Sequence, residues 1–286
     1  MIKKVFYAAV AVAWLVLVVA PGYYGWEYYM TPIPERPFTE MHDLLKPTGL
    51  IGHGYGIIGS LFIIIGVVTY TLRKRVSWFE GWGKLRSWLR FHIFLCTTGP
   101  ALVVWHTSLK FKGVVAISFW SMVIVVASGI LGRYVYKRIP KTEDGQFKSV
   151  QFILEEKHRL KQQIDSLVSL TPENERSLGL TAGEMKFSNP WAALTSALRF
   201  DIQGLLHWRR DREVTAQFSL TDADGDAFRR AIQAYRWKTR QEFLIEPLQK
   251  IFGYWHVFHI PLATIMFLVL AVHVFVSILF GYTWIF

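Results

Sequence analysis

Five blocks of about 20 mostly apolar residues constrain this chain more than any other feature of its sequence. An α-helix of about 20 residues is long enough to cross the roughly 30 Å hydrocarbon core of a bilayer. The blocks cover residues 5–20, 50–72, 91–109, 114–136 and 254–280. The sequence therefore predicts an all-α integral membrane protein with five transmembrane helices.

The polar stretch between the fourth and fifth blocks predicts a soluble helical insert. Residues 152–170 have heptad-like apolar spacing, and residues 221–226 offer N-caps for a helix that continues through Arg240. This stretch has no glycine-rich phosphate loop, flavin fingerprint or cysteine cluster. We expect transmembrane helices in residues 1–140, a docking domain without its own cofactor in residues 141–253, and the last transmembrane helix in residues 254–286.

The net charge of +11 does not require a nucleic-acid partner, because the excess is unevenly distributed. Residues 141–253 hold 17 Lys and Arg against 16 Asp and Glu, whereas the remainder holds 15 against 5. The excess therefore flanks the apolar blocks, where basic residues set membrane topology and meet anionic lipid headgroups. We expect membrane lipid, and no nucleic acid, among the partners.

The same basic residues predict an orientation. Residues 73–90 contain six Lys and Arg, whereas residues 21–48 contain two, diluted by four acidic residues. The positive-inside rule places the N-terminus and residues 141–253 in the cytoplasm, and residues 21–48 and the C-terminus outside. The first block follows Lys3 and Lys4, and we expect it to be a signal anchor. The expected location is the inner membrane of a bacterium.

The histidines are the most informative polar residues. Three of the nine lie in polar segments: His42, His158 and His207. Six lie in or at the ends of apolar blocks: His53, His92, His106, His256, His259 and His273. One such histidine is most simply an inter-helix hydrogen-bonding group, but six ionisable side chains at that depth are costly and favour a functional site.

The spacing of four of these histidines predicts two metal-ligand pairs. His106 follows His92 by fourteen positions, and His273 follows His259 by the same interval. That interval in an α-helix returns to within about 40° of the starting direction and rises roughly 21 Å. The third and fifth predicted helices run parallel, so His92 is expected to face His259 near the cytoplasmic side and His106 to face His273 near the outer side. Each pair can clamp one haem iron.

The single cysteine, Cys96, excludes a CxxCH attachment within this chain, so we predict two haem b groups.

Several nearby residues are further candidates for the cofactor site. Gly99 lies midway between His92 and His106, where a haem edge needs a close backbone, and Arg90 can pair a haem propionate or simply mark the interface. His53 is an alternative ligand, or a proton acceptor for quinol. His256 lies about 100° off the stripe and is a weaker alternative ligand. The glycines of residues 52–66 either permit close helix packing or leave room for a porphyrin.

The histidine pattern resembles that of the cytochrome b of the bc complexes. It consists of His92, Gly99 and His106 in one helix and His259 and His273 in another. It is also similar to the quinone-linked di-haem subunits of nitrate reductase, formate dehydrogenase and nickel–iron hydrogenase. The segments FHIFLCTTGPALVVWH and WHVFHIPL look like those of small bacterial membrane cytochromes b that accompany multihaem c-type cytochromes or iron–sulfur subunits. The five predicted spans and the long insert at positions 141–253 depart from the bc pattern.

The resemblance implies electron transfer between a quinone pool and a redox partner subunit, either a c-type cytochrome or an iron–sulfur protein. The fold expected is then a haem-binding bundle of five helices with a cytoplasmic insert. Substrate-specific chemistry would lie on the partner, so this chain would be the quinone-reactive subunit of an oxidoreductase complex. The alternative is a transporter or sensor whose histidines bind a transition metal. That alternative expects ligands that converge on one point.

Overall fold

The computed structural model describes residues 2–111, 115–141, 147–180, 187, 189–206 and 222–282, and this part of the chain is predominantly α-helical. Two 3-10 turns cover Arg36–Phe38 and Ser77–Phe79. The α-helices are α1 (Ile2–Tyr24), α2 (Trp26–Met30), α3 (His42–Leu45), α4 (Leu50–Arg75), α5 (Leu85–His106), α6 (Val115–Arg138), α7 (Val150–Leu167), α8 (Pro172–Ser177), α9 (Pro190–Leu206) and α10 (Asp222–Leu279). The all-α prediction is confirmed.

Most residues of each apolar block lie in a helix, namely α1, α4, α5, α6 or the last part of α10. Three helical segments within the described ranges are long and apolar enough to cross a membrane: His42–Arg75, Ala116–Arg138 and Ala223–Leu279. Ala8–Tyr24 is a shorter apolar helix. The protein therefore has the helices of a membrane protein, with three candidate spans, and the five-helix haem-binding bundle stays a prediction.

Helix α10 joins two elements that the sequence predicts separately. The predicted helix that continues through Arg240 and the predicted span from residue 254 form one helix of 58 residues. Pro247 lies inside it and removes one backbone hydrogen bond. Four apolar side chains around Pro247 are buried at helical spacing: Leu244, Ile245, Leu248 and Ile251. Their burial offsets the lost hydrogen bond, so the helix continues where the local sequence suggests a break.

The chain divides into two compact units, Met1–Ala127 with Ile260–Phe286, and Ser128–His259. The unit boundaries therefore fall inside α6 and α10, whereas the predicted domain boundaries fall at residues 140 and 253. In the first unit α4 packs closely along α5. A small core beside this pair contains Ile63, Phe119, Met122 and Met266.

The second unit has two apolar cores. One contains Val135 of α6 and Ile139, which directly follows that helix, with residues of α9 and α10. The other contains Ile164 of α7 and Phe228 of α10. Helix α7 confirms the helix predicted from the heptad-like spacing in residues 152–170. Ion pairs add to the contact between α7 and α10, with Lys157 Nζ 2.7 Å from Glu242 Oε2.

Candidate functional site

Helices α4 and α5 meet through two matched sets of residues spaced by seven. Gly52, Gly59 and Gly66 of α4 lie opposite His106, Gly99 and His92 of α5. Residues seven apart return to nearly the same side of an α-helix, so each set forms a stripe. The two helices run in opposite directions, and each histidine of α5 therefore meets a glycine carbonyl of α4.

His106 is held at one end of this contact. Its Nδ1–H donates to the carbonyl oxygen of Gly52 over 2.9 Å. Its ring also lies against Gly56, where an added Cβ would approach Cγ, Nδ1 and Cε1 of the imidazole to 2.8–2.9 Å. Glycine at position 56 thus provides the space that the ring occupies, and the Gly52 carbonyl fixes its direction.

His92 is held in the same way at the other end of the contact. Its Nδ1–H donates to the carbonyl oxygen of Gly66 over 3.0 Å. The Sγ atom of Cys96 lies 3.6 Å from the same nitrogen. The ring of Tyr70 lies 5.2 Å from the imidazole ring, centroid to centroid. The two histidines of α5 therefore share one mode of anchoring, which recurs at opposite ends of the contact.

A group of three imidazoles forms within the first unit around His106. The ring centroids of His53 and His106 are 6.1 Å apart, with 33° between the ring planes. His273 lies within electrostatic range of both rings. The structure thus brings together the predicted pair His106 and His273, and also the alternative ligand His53.

His259 is anchored within the second unit. The Ser128 hydroxyl lies 2.7 Å from its Nδ1. The indole of Trp255 stacks on the imidazole at 4.8 Å, and its Nε1–H donates to the carbonyl oxygen of Ser128. His256 instead donates from Nδ1 to the carbonyl oxygen of Phe252, one turn earlier in its own helix, over 3.1 Å.

Gly99 and Arg90 have contacts that the sequence did not predict. A Cβ at Gly99 would lie 2.5 Å from the carbonyl oxygen of Gly59. The space beside Gly99 is therefore taken by the α4 backbone, which favours close helix packing as the reason for that glycine. Arg90 donates to the Ser87 hydroxyl over 3.2 Å, one turn earlier in α5. The roles of both residues at a haem stay predictions.

The anchored histidines fit haem ligation. A ring that donates from Nδ1 to a carbonyl keeps its Nε2 lone pair for a metal, which is the usual arrangement of ligating histidines. His92 and His106 both meet this condition. Metal–nitrogen bonds of about 2 Å would allow two imidazoles with centroids about 6 Å apart to hold the same metal ion. The separation of His53 and His106 is close to that distance.

Residues between the first two apolar blocks form a cap on the end of α5 that carries His106, which is the predicted outer end. The buried Arg36 guanidinium donates to the carbonyl oxygens of Thr31, Tyr29 and Ser108. Tyr28 is 1% exposed and Tyr29 is 3% exposed. Within the described part of the chain, their hydroxyls meet no hydrogen-bond partner, and neither does the buried Nδ1 of His42. Burial raises the pKa of Tyr29, so that hydroxyl stays protonated.

The sequence carried a weak signal for this cap, namely several aromatic residues and one arginine between two apolar blocks. It gave no indication that His42, which lies in a polar segment, packs 5.9 Å from the Tyr28 ring. The other two histidines of polar segments do not share the buried position of His42. His158 is exposed on α7, and His207 lies outside the described residues.

No three His, Cys, Asp or Glu side chains converge as ligands for a single ion in the ranges that the structure describes. A haem iron needs only two protein ligands, whereas the alternative transition-metal site expects a larger converging set. Comparison with models of known protein families, with curated proteins and with solved structures finds no match.

Proposed function

We propose that this protein is a di-haem b-type electron-transfer subunit that carries electrons across a membrane between a quinone pool and a redox partner subunit. The observation that carries the proposal is the repeated anchoring of His92 and His106. Each donates from Nδ1 to a glycine carbonyl of α4. The rise between them, roughly 21 Å along an α-helix, suits one ligand near each membrane face.

His106 is the proposed ligand of the outer haem. Its partner is His53, whose ring centroid lies 6.1 Å away, or His273, which lies within electrostatic range, and the short ring separation favours His53. For the inner haem, the equal fourteen-residue spacing in the sequence is the basis for proposing His92 and His259 as ligands, with His256 as the alternative to His259. Support for His259 comes from the contacts of its ring with Ser128 and Trp255, which fix its orientation.

Haem held by two histidines would supply a one-electron couple whose potential depends on ligand hydrogen bonds and burial. The contribution of the chain is then to fix the rings. Gly52 and Gly66 orient His106 and His92 through their carbonyl oxygens, and Gly56 leaves room for one of the rings. The protein is proposed to reside in a bacterial inner membrane, with residues 141–253 as a cytoplasmic docking domain.

Quinone is the proposed exchangeable substrate, and the outer cap supports it. The hydroxyls of Tyr28 and Tyr29 and the Nδ1 of His42 are buried polar atoms of the kind that bond to carbonyl or hydroxyl oxygens. They adjoin the end of α5 that carries His106. His53 is proposed above as a haem ligand. That it instead accepts a proton from quinol stays a prediction.

The test is a dithionite-reduced minus air-oxidised optical spectrum, with a pyridine haemochrome count, on the purified full-length protein. We expect about two haem b per chain. Replacing His92, His106 or His259 by alanine should lower the count to about one, because each pair would lose a ligand. His158→Ala, an exposed histidine of α7, is the matched control and should leave the count unchanged.

The same count separates the two candidate partners of His106. If His53 is the ligand, His53→Ala loses one haem and His273→Ala keeps both; the reverse result assigns His273. Absence of haem from the wild-type protein after haem-replete expression would contradict the proposal. Zinc and copper analysis would then test the transition-metal alternative.

A further inference from the structure

The connection between α4 and α5 is a short, closed turn rather than an extended loop. Residues 73–86, which we call the aromatic–basic turn, begin in the last turn of α4 and end at the start of α5. The Arg73 guanidinium donates to the carbonyl oxygen of Gly83 from two nitrogens, over 2.9 and 3.3 Å. The indole of Trp88 donates to the carbonyl oxygen of Trp82 over 2.6 Å. Gly83 has a φ of +82°, which a residue with a side chain rarely adopts.

The closed turn presents aromatic rings at its surface. Trp78, Phe79 and Trp82 contact one another, with centroid separations of 4.9–6.0 Å. The side chains of Trp78 and Trp82 are nevertheless 75% and 54% exposed. Two exposed indoles at the end of a candidate span match the aromatic belt that lies at the level of lipid headgroups.

The charge of the turn is strongly positive. It contains one acidic residue, Glu80, and five basic residues: Arg73, Lys74, Arg75, Lys84 and Arg86. Arg73 is engaged with the Gly83 carbonyl, whereas the other four basic side chains are exposed. Exposed cations next to an interfacial aromatic group attract anionic headgroups, and each adds to the attraction.

We propose that the aromatic–basic turn is a binding surface for anionic phospholipids. Trp78 and Trp82 lie at the headgroup level, and Lys84 and Arg86 contact the lipid phosphates. An acidic protein surface would also complement the cations. Lipid is the better match because the exposed indoles directly follow the apolar segment His42–Arg75. This surface is independent of the proposed haem ligands.

The experiment uses the full-length protein in nanodiscs made of equal parts phosphatidylglycerol and phosphatidylcholine. Native mass spectrometry then counts the lipids of each kind that stay bound to the released protein. We expect phosphatidylglycerol to exceed phosphatidylcholine severalfold. The double variant Lys84→Gln with Arg86→Gln should lower this ratio by at least about threefold, because two cations near the headgroups are lost.

The matched control removes the same charge elsewhere. Arg159 and Arg230 are exposed cations of α7 and α10, and their replacement by glutamine should leave the lipid ratio unchanged. The double variant Trp78→Ala with Trp82→Ala should lower the number of bound lipids of both kinds. Equal retention of the two lipids by the wild-type protein would overturn the proposal. The proposal would also be overturned if the control variant lowered the lipid ratio as much as the Lys84 and Arg86 variant did. An unchanged lipid ratio in the Lys84 and Arg86 variant would overturn it too, and release of an acidic partner protein by that variant would then favour a protein-binding surface.

Discussion

At the scale of single residues, the His106 ring lies directly against the backbone of Gly56. An added methyl group would come within 2.8 Å of the ring, and the ring is also tied to the Gly52 carbonyl. We therefore expect Gly56→Ala to displace His106 and lower the haem count from about two towards one per chain. The haemochrome count of the purified variant measures this.

Gly129→Ala is the control for that experiment. A Cβ at Gly129 would lie 3.8 Å from Cε1 of His259, which is ordinary van der Waals contact. It adds the same methyl group beside another proposed ligand without a clash. Equal haem content in both variants and the wild-type protein would show that the Gly56 contact does not control the position of a haem ligand.

The residue scale also shows what the sequence could and could not predict. The interval between His92 and His106 singled them out, because helical periodicity alone relates their directions. Their hydrogen-bond partners were not predictable. Gly52 and Gly66 contribute backbone carbonyls, and a carbonyl carries no residue-specific signal until the register of two helices is known. The approach of His53 to His106 could not be predicted for the same reason, because it also depends on the register of α4 against α5.

At the scale of helices, Gly59 and Gly99 set how closely α4 and α5 approach. A Cβ at Gly99 would meet the Gly59 carbonyl oxygen at 2.5 Å, so Gly99→Ala must push the helices apart. Overpacking of this kind typically costs about 1–3 kcal/mol. We expect a lower apparent Tm in scanning fluorimetry of the detergent-solubilised protein, together with weaker haem retention.

Gly253→Ala makes the same change in a helix at a position with open space around it. There alanine is expected to leave the apparent Tm unchanged or raise it slightly, because alanine favours the helix over glycine. If Gly99→Ala were equally well tolerated, the close approach of α4 and α5 would not be needed for stability.

Helix positions were predictable to a degree that depended on the local pattern. The apolar blocks and the heptad-like spacing of α7 identified helices because each carries its own periodicity. Helix α10 changes from a charged to an apolar surface along its length and contains Pro247 and Gly253. Judged from the local sequence alone, the change of surface character and the two residues favour a break in the helix. Burial of Leu248 and Ile251 beside them keeps the helix continuous, and that burial depends on residues of α6 and α9 distant in sequence.

At the scale of the whole molecule, the distribution of charge and the length of the apolar helices both indicate a membrane protein. They do not fix how many helices cross the membrane. Helices α4, α6 and α10 form most or all of the three candidate spans. Helix α5 contains two proposed haem ligands, but its first turns carry Arg86 and Arg90. If α1 and α5 also cross, Glu80 and the insert lie on one side. If only the three candidate spans cross, Glu80 and the insert lie on opposite sides.

Three engineered cysteines distinguish these topologies. In a Cys96→Ala background, we place cysteine at the exposed positions Glu35, Glu80 or Glu173 and treat intact spheroplasts with a membrane-impermeant maleimide. Five crossings with the expected orientation predict labelling at position 35 alone, since the basic segments flanking positions 80 and 173 would be cytoplasmic. Labelling at 35 and 173 but not 80 would fit three crossings. In that case α5 would not cross the membrane, and His92 and His106 could not provide a ligand near each membrane face.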